Sequence, residues 1–349
     1  MLDLVQHAHR SSTQGLYDSH WQSWLKWCRR HGVSSLAPTS VELSTYMGFL
    51  FKERHLSPSS VRCHKSAITT TIRQCNGPSF ADDPLLREVI KGMSAVASRS
   101  PKRFPSWDLF LVLASLRLPP YEPLCFCPLN LLSEKTAFLI SLASGRRCSE
   151  IHALSRRGVA FESKPKDAIS LRFLPEFLAK NQPNGSHAPP IVIESLRAIL
   201  GEDDADRFLC PVRALKMYMR RTKRLCSLNK RRLFVSVRES MDKDISVATI
   251  SRWLRNVIKR AYNSSESSLS PRDHKAHEIR AWSASLAWVQ NASINSIMDA
   301  AYWRNRGTFI QHYLRDVSRL NEDGSRGIAS VVVAQRAFSS ATTSRNSRP

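Results

Sequence analysis

At 349 residues the chain is long enough for two domains. A hydrophobic content of 42% argues against wholesale disorder, and no apolar run approaches the roughly 20 residues that span a bilayer. The formal net charge of +23, from 52 Lys and Arg against 29 Asp and Glu, points to a polyanionic partner, because neutralising phosphates releases counterions.

Residues 12–32 place Leu16, Trp21, Trp24, Leu25 and Cys28 at helical spacing, with Gly32 as the stop. Trp21 and Trp24 lie three residues apart, so core packing is expected of them rather than a base-stacking set with Trp27. Pro38 and Thr39 open a second helix that runs through Phe51, Ser57 and Pro58 open a third, and DPLLREVIKGMSAVASR supplies a fourth. Four helices with short loops predict a compact bundle over residues 8–100. The polar, basic, proline-containing stretch SRSPKRFPSW (98–107) marks the boundary with a second domain over 105–335.

That second domain reads as a helix from Ser106, a loop at 121–131 and a buried helix ending at Gly145. Strand signals follow in GVAFES, AISLRFLPE and PPIVIES. A basic helix (PVRALKMYMRRTKRL) and an amphipathic one capped at Ser246 or Thr249 come next. HKAHEIRAWSASLAWVQ, INSIMDAA and RGTFIQHYLRDV are the last helices, and 336–349 is expected to be a disordered tail. The predicted fold class is therefore mainly α with a small antiparallel β-sheet. The first residues, MLDLVQHAHR, lack the apolar core of a secretory leader. Eight scattered cysteines, with Cys125 and Cys127 as the closest pair, do not match a zinc-knuckle spacing, so reduced intracellular thiols and no structural metal are expected.

A sparse, ordered set of residues carries chemistry: Arg147, Lys180, His277, Arg280, Trp303 and Tyr313. Breaking a phosphodiester needs a nucleophile, charge on the non-bridging oxygens and a proton for the leaving oxygen. A tyrosine phenolate is a competent nucleophile, and nearby guanidiniums favour its charged form. Arg147 and Arg280 have the planar fork that clamps phosphate oxygens and replaces a metal as charge sink. His277 precedes Arg280 by three residues, so one helical face carries both toward one phosphate. Lys180 is placed to protonate a leaving oxygen, and the Trp303 indole N–H to donate to a phosphate oxygen. Each residue alone has an ordinary explanation, Tyr313 with Phe309 as a packing pair and Arg147 with Arg146 as a solvated face; the ordered set does not.

The segments SLASGRRCSEIHAL, FLPEFLAKNQ, LCPVRALKMYMRRT, HKAHEIRAWSASLAW and MDAAYWRNRGTFIQHYLRD resemble the tyrosine recombinases of the phage-integrase superfamily. In texture they are most similar to the DIRS-like and Crypton-like recombinases of eukaryotic mobile elements. The resemblance covers roughly residues 10–335 and implies a helical, SAM-like core-binding domain followed by an α+β catalytic domain. By position, Arg147 resembles the first catalytic arginine, with Glu150 as its acidic buttress, and Lys180 the β-hairpin lysine. His277 and Arg280 resemble the His-x-x-Arg pair, and Tyr313 the nucleophile. Trp303 stands where many members have histidine and some tryptophan, ten residues before Tyr313 where many bacterial members have nine. The Arg-x-x-Glu spacing favours Arg147 over Arg146, and the offset to Arg280 favours His277 over His274.

The resemblance implies double-stranded DNA as partner, a homotetramer on two duplexes, a 3′-phosphotyrosyl intermediate, no cofactor or metal, no small-molecule substrate and a nuclear location. Candidate phosphate contacts are Arg62, Lys65 and Arg73 in the first domain and Lys216, Arg220 and Arg221 in the second. A type IB topoisomerase and a domesticated, non-catalytic DNA-binding protein are the alternatives.

Overall fold

In the computed structural model, which describes residues 11–97, 106–162, 167–180, 182, 188–196, 205–226, 231–237, 244–264, 275–303 and 305–314, helices begin at side-chain caps on Thr39, Ser57, Asp83, Asp108 and Ser293. The chain divides into two compact units, Met1–Ser100 and Pro101–Pro349. The first contains α1 (Ser11–His31), α2 (Ser40–Lys52), α3 (Pro58–Gln74) and α4 (Pro84–Val96). Thr39 accepts the Glu42 N–H, and the Glu42 carboxylate accepts the Thr39 N–H at 2.7 Å, a reciprocal cap that starts α2. Ser57 and Asp83 cap α3 and α4 in the same sense, each followed by proline. α1 packs on α3, and α2 on α4. Their shared core holds Trp24 and Trp27, stacked 5.4 Å apart, with Tyr46, Leu43, Met47 and Ile68. Trp24 is fully buried, as its helical spacing predicted.

The second unit is built around α6 (Leu129–Ser144), which is buried along almost its whole length. Before it comes α5 (Leu109–Leu116), which begins later than Ser106 because the Asp108 side chain accepts the Phe110 N–H at 2.8 Å. After it come α7 (Cys148–His152) and a sheet of β1 (Leu154–Glu162), β2 (Ala168–Phe173) and β3 (Ile191–Glu194). The sheet is antiparallel, in the order β1-β2-β3, with a register shift between Leu154 and Val159. β1 starts earlier than its alternating sequence pattern indicates, and the shift explains this: an irregular register hides the period-2 signal. At Gly158, inside the shift, an added Cβ would lie 2.9 Å from the Arg172 Cβ, so the close approach of β2 requires glycine.

The remaining helices are α8 (Pro211–Arg221), α9 (Val247–Ser264), α10 (Glu278–Val289), α11 (Ile294–Ala300) and α12 (Arg306–His312). Ser246, rather than Thr249, caps α9: its hydroxyl accepts the Thr249 N–H at 3.2 Å. α6 packs against α8, α9 and α10. Two polar braces fix these contacts. Fully buried Lys135 of α6 donates to Glu122 at 2.6 Å, and Arg213 of α8 grips the same carboxylate at 2.7 and 2.9 Å. Glu134 of α6 accepts from Asn256 and Arg260 of α9 at 2.9 and 3.0 Å. All eight cysteines are free. Among the described residues no helix is long and apolar enough to cross a membrane, and no His, Cys, Asp and Glu cluster has the makings of a metal site. The expected tail at 336–349, His274 and most of the boundary segment lie outside the described residues.

Candidate active site

Gly145 ends α6 in the left-handed conformation (φ 60°), and this sharp exit delivers Arg146 and Arg147 side by side. Arg147 is the N-cap of α7, and its backbone N–H donates to Glu150 Oε2 at 2.6 Å. The Glu150 carboxylate, almost fully buried, is the meeting point of three guanidiniums. Arg146 and Arg147 lie 3.7 and 3.6 Å from Oε1, and Arg280 lies 3.6 Å from Oε2. None of these three contacts is a hydrogen bond in length. Arg147 Nη1, Arg146 Nε and Nη1, and Arg280 Nε and Nη1 are buried without a hydrogen-bond partner. Burying unpaired donors is costly, so a cluster of them facing one carboxylate is a site shaped for an anion.

Arg280 sits in the first turn of α10, 2% exposed, and donates to the Ala301 carbonyl at 2.7 Å. Burial, reinforced by the charge of Arg147, pushes it down to about 9, with Glu150 and Tyr313 opposing. It remains a cation at neutral pH. Its guanidinium lies over the Trp303 ring at 4.1 Å and 5.4 Å from the Tyr313 ring. Trp303 in turn packs on Tyr313 at 4.7 Å and on Phe309 at 5.1 Å between ring centres.

Tyr313 is the residue just past α12; its N–H bonds the Phe309 carbonyl at 2.9 Å, and Ser285 of α10 donates to its carbonyl at 3.2 Å. Its hydroxyl is hydrogen-bonded to His277 Nε2. His277 is the N-cap of α10 with helical φ and ψ, so the sequence expectation that one face carries it with Arg280 matches the backbone.

His277 is exposed and lines a groove of about 900 Å³. The groove is also lined by Arg252, Arg255 and Lys259 of α9, and by Cys148 and Lys275. Sequence reasoning passed over these α9 cations. Their 252, 255, 259 spacing on one face was the available signal, and the Glu134 brace is what turns that face outward. A second cavity, of about 600 Å³ beside α8, contains no member of the cluster.

The structure thus gathers Arg147, Glu150, His277, Arg280, Trp303 and Tyr313. Lys180 is exposed in the segment between β2 and β3, anchored by an Ala179 N–H to Gln182 bond of 2.8 Å, and is not in contact with the cluster. Arg62, Lys65 and Arg73 lie along α3, where Arg62 donates to Ser94 at 2.9 Å. On α8, Lys216 pairs with Asp167 at 2.9 Å and Arg220 is exposed. Arg221 is committed inside the domain, donating to the carbonyls of Leu124 and Cys127.

No protein-family model matches the chain, and no curated protein does. Solved structures do. The chain is similar to the Tn1549 transposon integrase in complex with transposon right end DNA, with a TM-score of 0.55 at 12% identity, covering 91% of this chain and 95% of that one. It is also similar to a lambda integrase dimer bound to a COC′ core site, with a TM-score of 0.52 at 14% identity, covering 92% and 94%. Mostly helical, with a three-stranded antiparallel sheet beside the helices that carry the cluster, the chain has the fold of the tyrosine recombinase catalytic domain.

Proposed function

We propose that the chain cuts and rejoins DNA strands through a covalent 3′-phosphotyrosyl link at Tyr313. The observation that carries this is the Tyr313–His277 hydrogen bond beside a buried guanidinium cluster with unpartnered donors. His277 Nε2, in its unprotonated tautomer, takes the phenol proton as the Tyr313 oxygen attacks phosphorus. The bond to the 5′ oxygen breaks, and its electron pair leaves on that oxygen, which takes a proton from Lys180 once bound DNA draws that exposed side chain to the cluster. Arg147 and Arg280 hold the non-bridging oxygens, and Trp303 stacks under the Arg280 guanidinium. Attack by the 5′ hydroxyl of a partner strand reverses the step with the bond energy conserved.

DNA lies along the α9 groove and also contacts Lys216 and Arg220 of α8, while residues 8–100 grip the duplex through Arg62, Lys65 and Arg73. The similar integrases are DNA complexes, which supports the polyanion reading of the +23 charge. Recombination of a mobile element by four copies on two duplexes, in a nucleus, is the finer reading that the sequence resemblance favours.

A pool of randomised nicked duplexes tests the chemistry. The expected result is a denaturant-resistant protein–DNA adduct whose linked peptide, by mass spectrometry, contains Tyr313. No adduct, or an adduct that persists in Tyr313→Phe, overturns the proposal. Relaxation of plasmids that lack any recombination site would reassign the same chemistry to a topoisomerase.

A further inference from the structure

Arg146 is buried more deeply than Arg147: its side chain is 3% exposed against 16%. It contacts Glu150 Oε1 at 3.7 Å, its guanidinium stacks on Tyr302 at 5.3 Å and Phe173 at 5.8 Å, and its Nε and Nη1 have no hydrogen-bond partner. Tyr302 is held in the left-handed region at φ 55°, a strained conformation for an aromatic residue, directly before Trp303. A buried, under-bonded arginine stacked on a strained tyrosine is an arrangement that a well-packed apolar pair would replace at lower cost.

Charge supplies the reason. Among the described residues Glu150 is the one carboxylate ion-paired to Arg146, Arg147 and Arg280. Without Arg146 the cluster carries one net positive charge, which matches a phosphodiester in its ground state. With Arg146 it carries two, which matches the charge on the non-bridging oxygens of the five-coordinate phosphorus after phenolate attack; the cation that His277 becomes stays at the phenol oxygen. Charge that is matched only in the transition state accelerates the reaction rather than tightening binding.

We infer that Arg146 is a third guanidinium of the phosphate site, supplying the second positive charge that the pentacoordinate state requires. This rests on the reading of Tyr313 as nucleophile. Arg146 acts through the field at the Glu150 cluster, while Arg147 and Arg280 make the contacts.

The test uses the full chain and a duplex carrying the cleavage position mapped by the Tyr313 adduct, made either with the native phosphate or with a neutral methylphosphonate there. Arg146→Met keeps the stem and removes the charge; it is expected to slow adduct formation on native phosphate by about 10–100-fold and to leave the methylphosphonate rate within a few-fold of wild type. Arg146→Lys restores most of the loss. An equal deficit of Arg146→Met on both substrates means a structural role and overturns the inference, as does no deficit at all. Should Arg146→Met fail to fold, Arg146→Lys decides alone: a loss on native phosphate as large as 10-fold overturns it. Failure of the wild-type protein to form any adduct is a different outcome, and removes the reading of Tyr313 itself.

Discussion

The Tyr313 hydroxyl and His277 Nε2 are hydrogen-bonded across 36 residues of sequence, although one lies just past α12 and the other caps α10. Ser285 and Phe309 hold the tyrosine backbone, so the pairing does not depend on the phenol alone. His277→Ala is therefore expected to fold normally and to form the Tyr313 adduct about 10²–10⁴-fold more slowly at neutral pH. Added imidazole should restore part of the rate. Tyr313→Phe keeps the ring that packs on Trp303, so its unfolding free energy should fall only by the loss of one hydrogen bond, about 1 kcal/mol. Adduct kinetics and thermal unfolding of the two variants check this. An unimpaired His277→Ala would show that the pairing does not activate the phenol.

Glu150 holds three like charges together in a buried site. Glu150→Gln keeps the shape and removes the only counter-charge among the described residues. Breaking a buried ion pair in this way costs about 3–5 kcal/mol, and the guanidiniums it leaves become a stronger anion trap. The variant should unfold at lower temperature than wild type, and millimolar sulfate should recover more of its midpoint than it adds to the wild type. Chloride at equal ionic strength is the control. Equal responses to sulfate would mean that the three arginines do not act as one anion site.

How far these features could be read from the chain alone follows from which of them are local. Thr39, Ser57, Ser246 and Gly145 announce helix ends because capping is settled within four residues. The site members were legible by resemblance, as an ordered set of residue types. Arg146 was set aside because the Arg-x-x-Glu spacing to Glu150 favours Arg147. Its burial is decided by Phe173 and Tyr302, from β2 and the turn before Trp303, and no periodicity encodes that. The start of β1 was missed because the shift at Gly158 breaks the alternation. Arg221 read as an exposed basic residue, whereas the loop carbonyls of Leu124 and Cys127, distant in sequence, take up its donors.

Arg255 and Lys259 are exposed on α9, in the groove that His277 also lines. If this groove tracks a phosphate backbone, each cation contributes to affinity without reading sequence. Arg255→Gln and Lys259→Gln should each weaken binding to unrelated duplexes by a similar factor and lower the slope of log affinity against log salt by about 1. The double variant should lower it by about 2 if the contacts are independent. Fluorescence anisotropy at several salt concentrations measures this. Slopes unchanged from wild type would place the DNA on another face.

His64 gives the N-terminal unit an acid limit. It is buried in the α1–α3 contact, stacked on His20 at 3.7 Å between ring centres, with the Tyr46 hydroxyl 3.4 Å from its Nδ1. Burial, and then the neighbouring His20, hold it down to about 4. The unfolded chain therefore binds the proton first, near the ordinary value of 6.5. The stability this neutral histidine contributes is intact above about pH 6.5 and is lost as pH falls toward 4, by at most about 1.4 kcal/mol per pH unit. Hydrogen exchange of α1 and α3 peptides from the full chain, compared at pH 7 and pH 5 after correction for intrinsic rates, reads that loss locally. His64→Gln removes the titrating group and should flatten the difference between the two pH values, even though the variant starts from a lower stability. A variant as acid-sensitive as wild type would assign the effect to a different group.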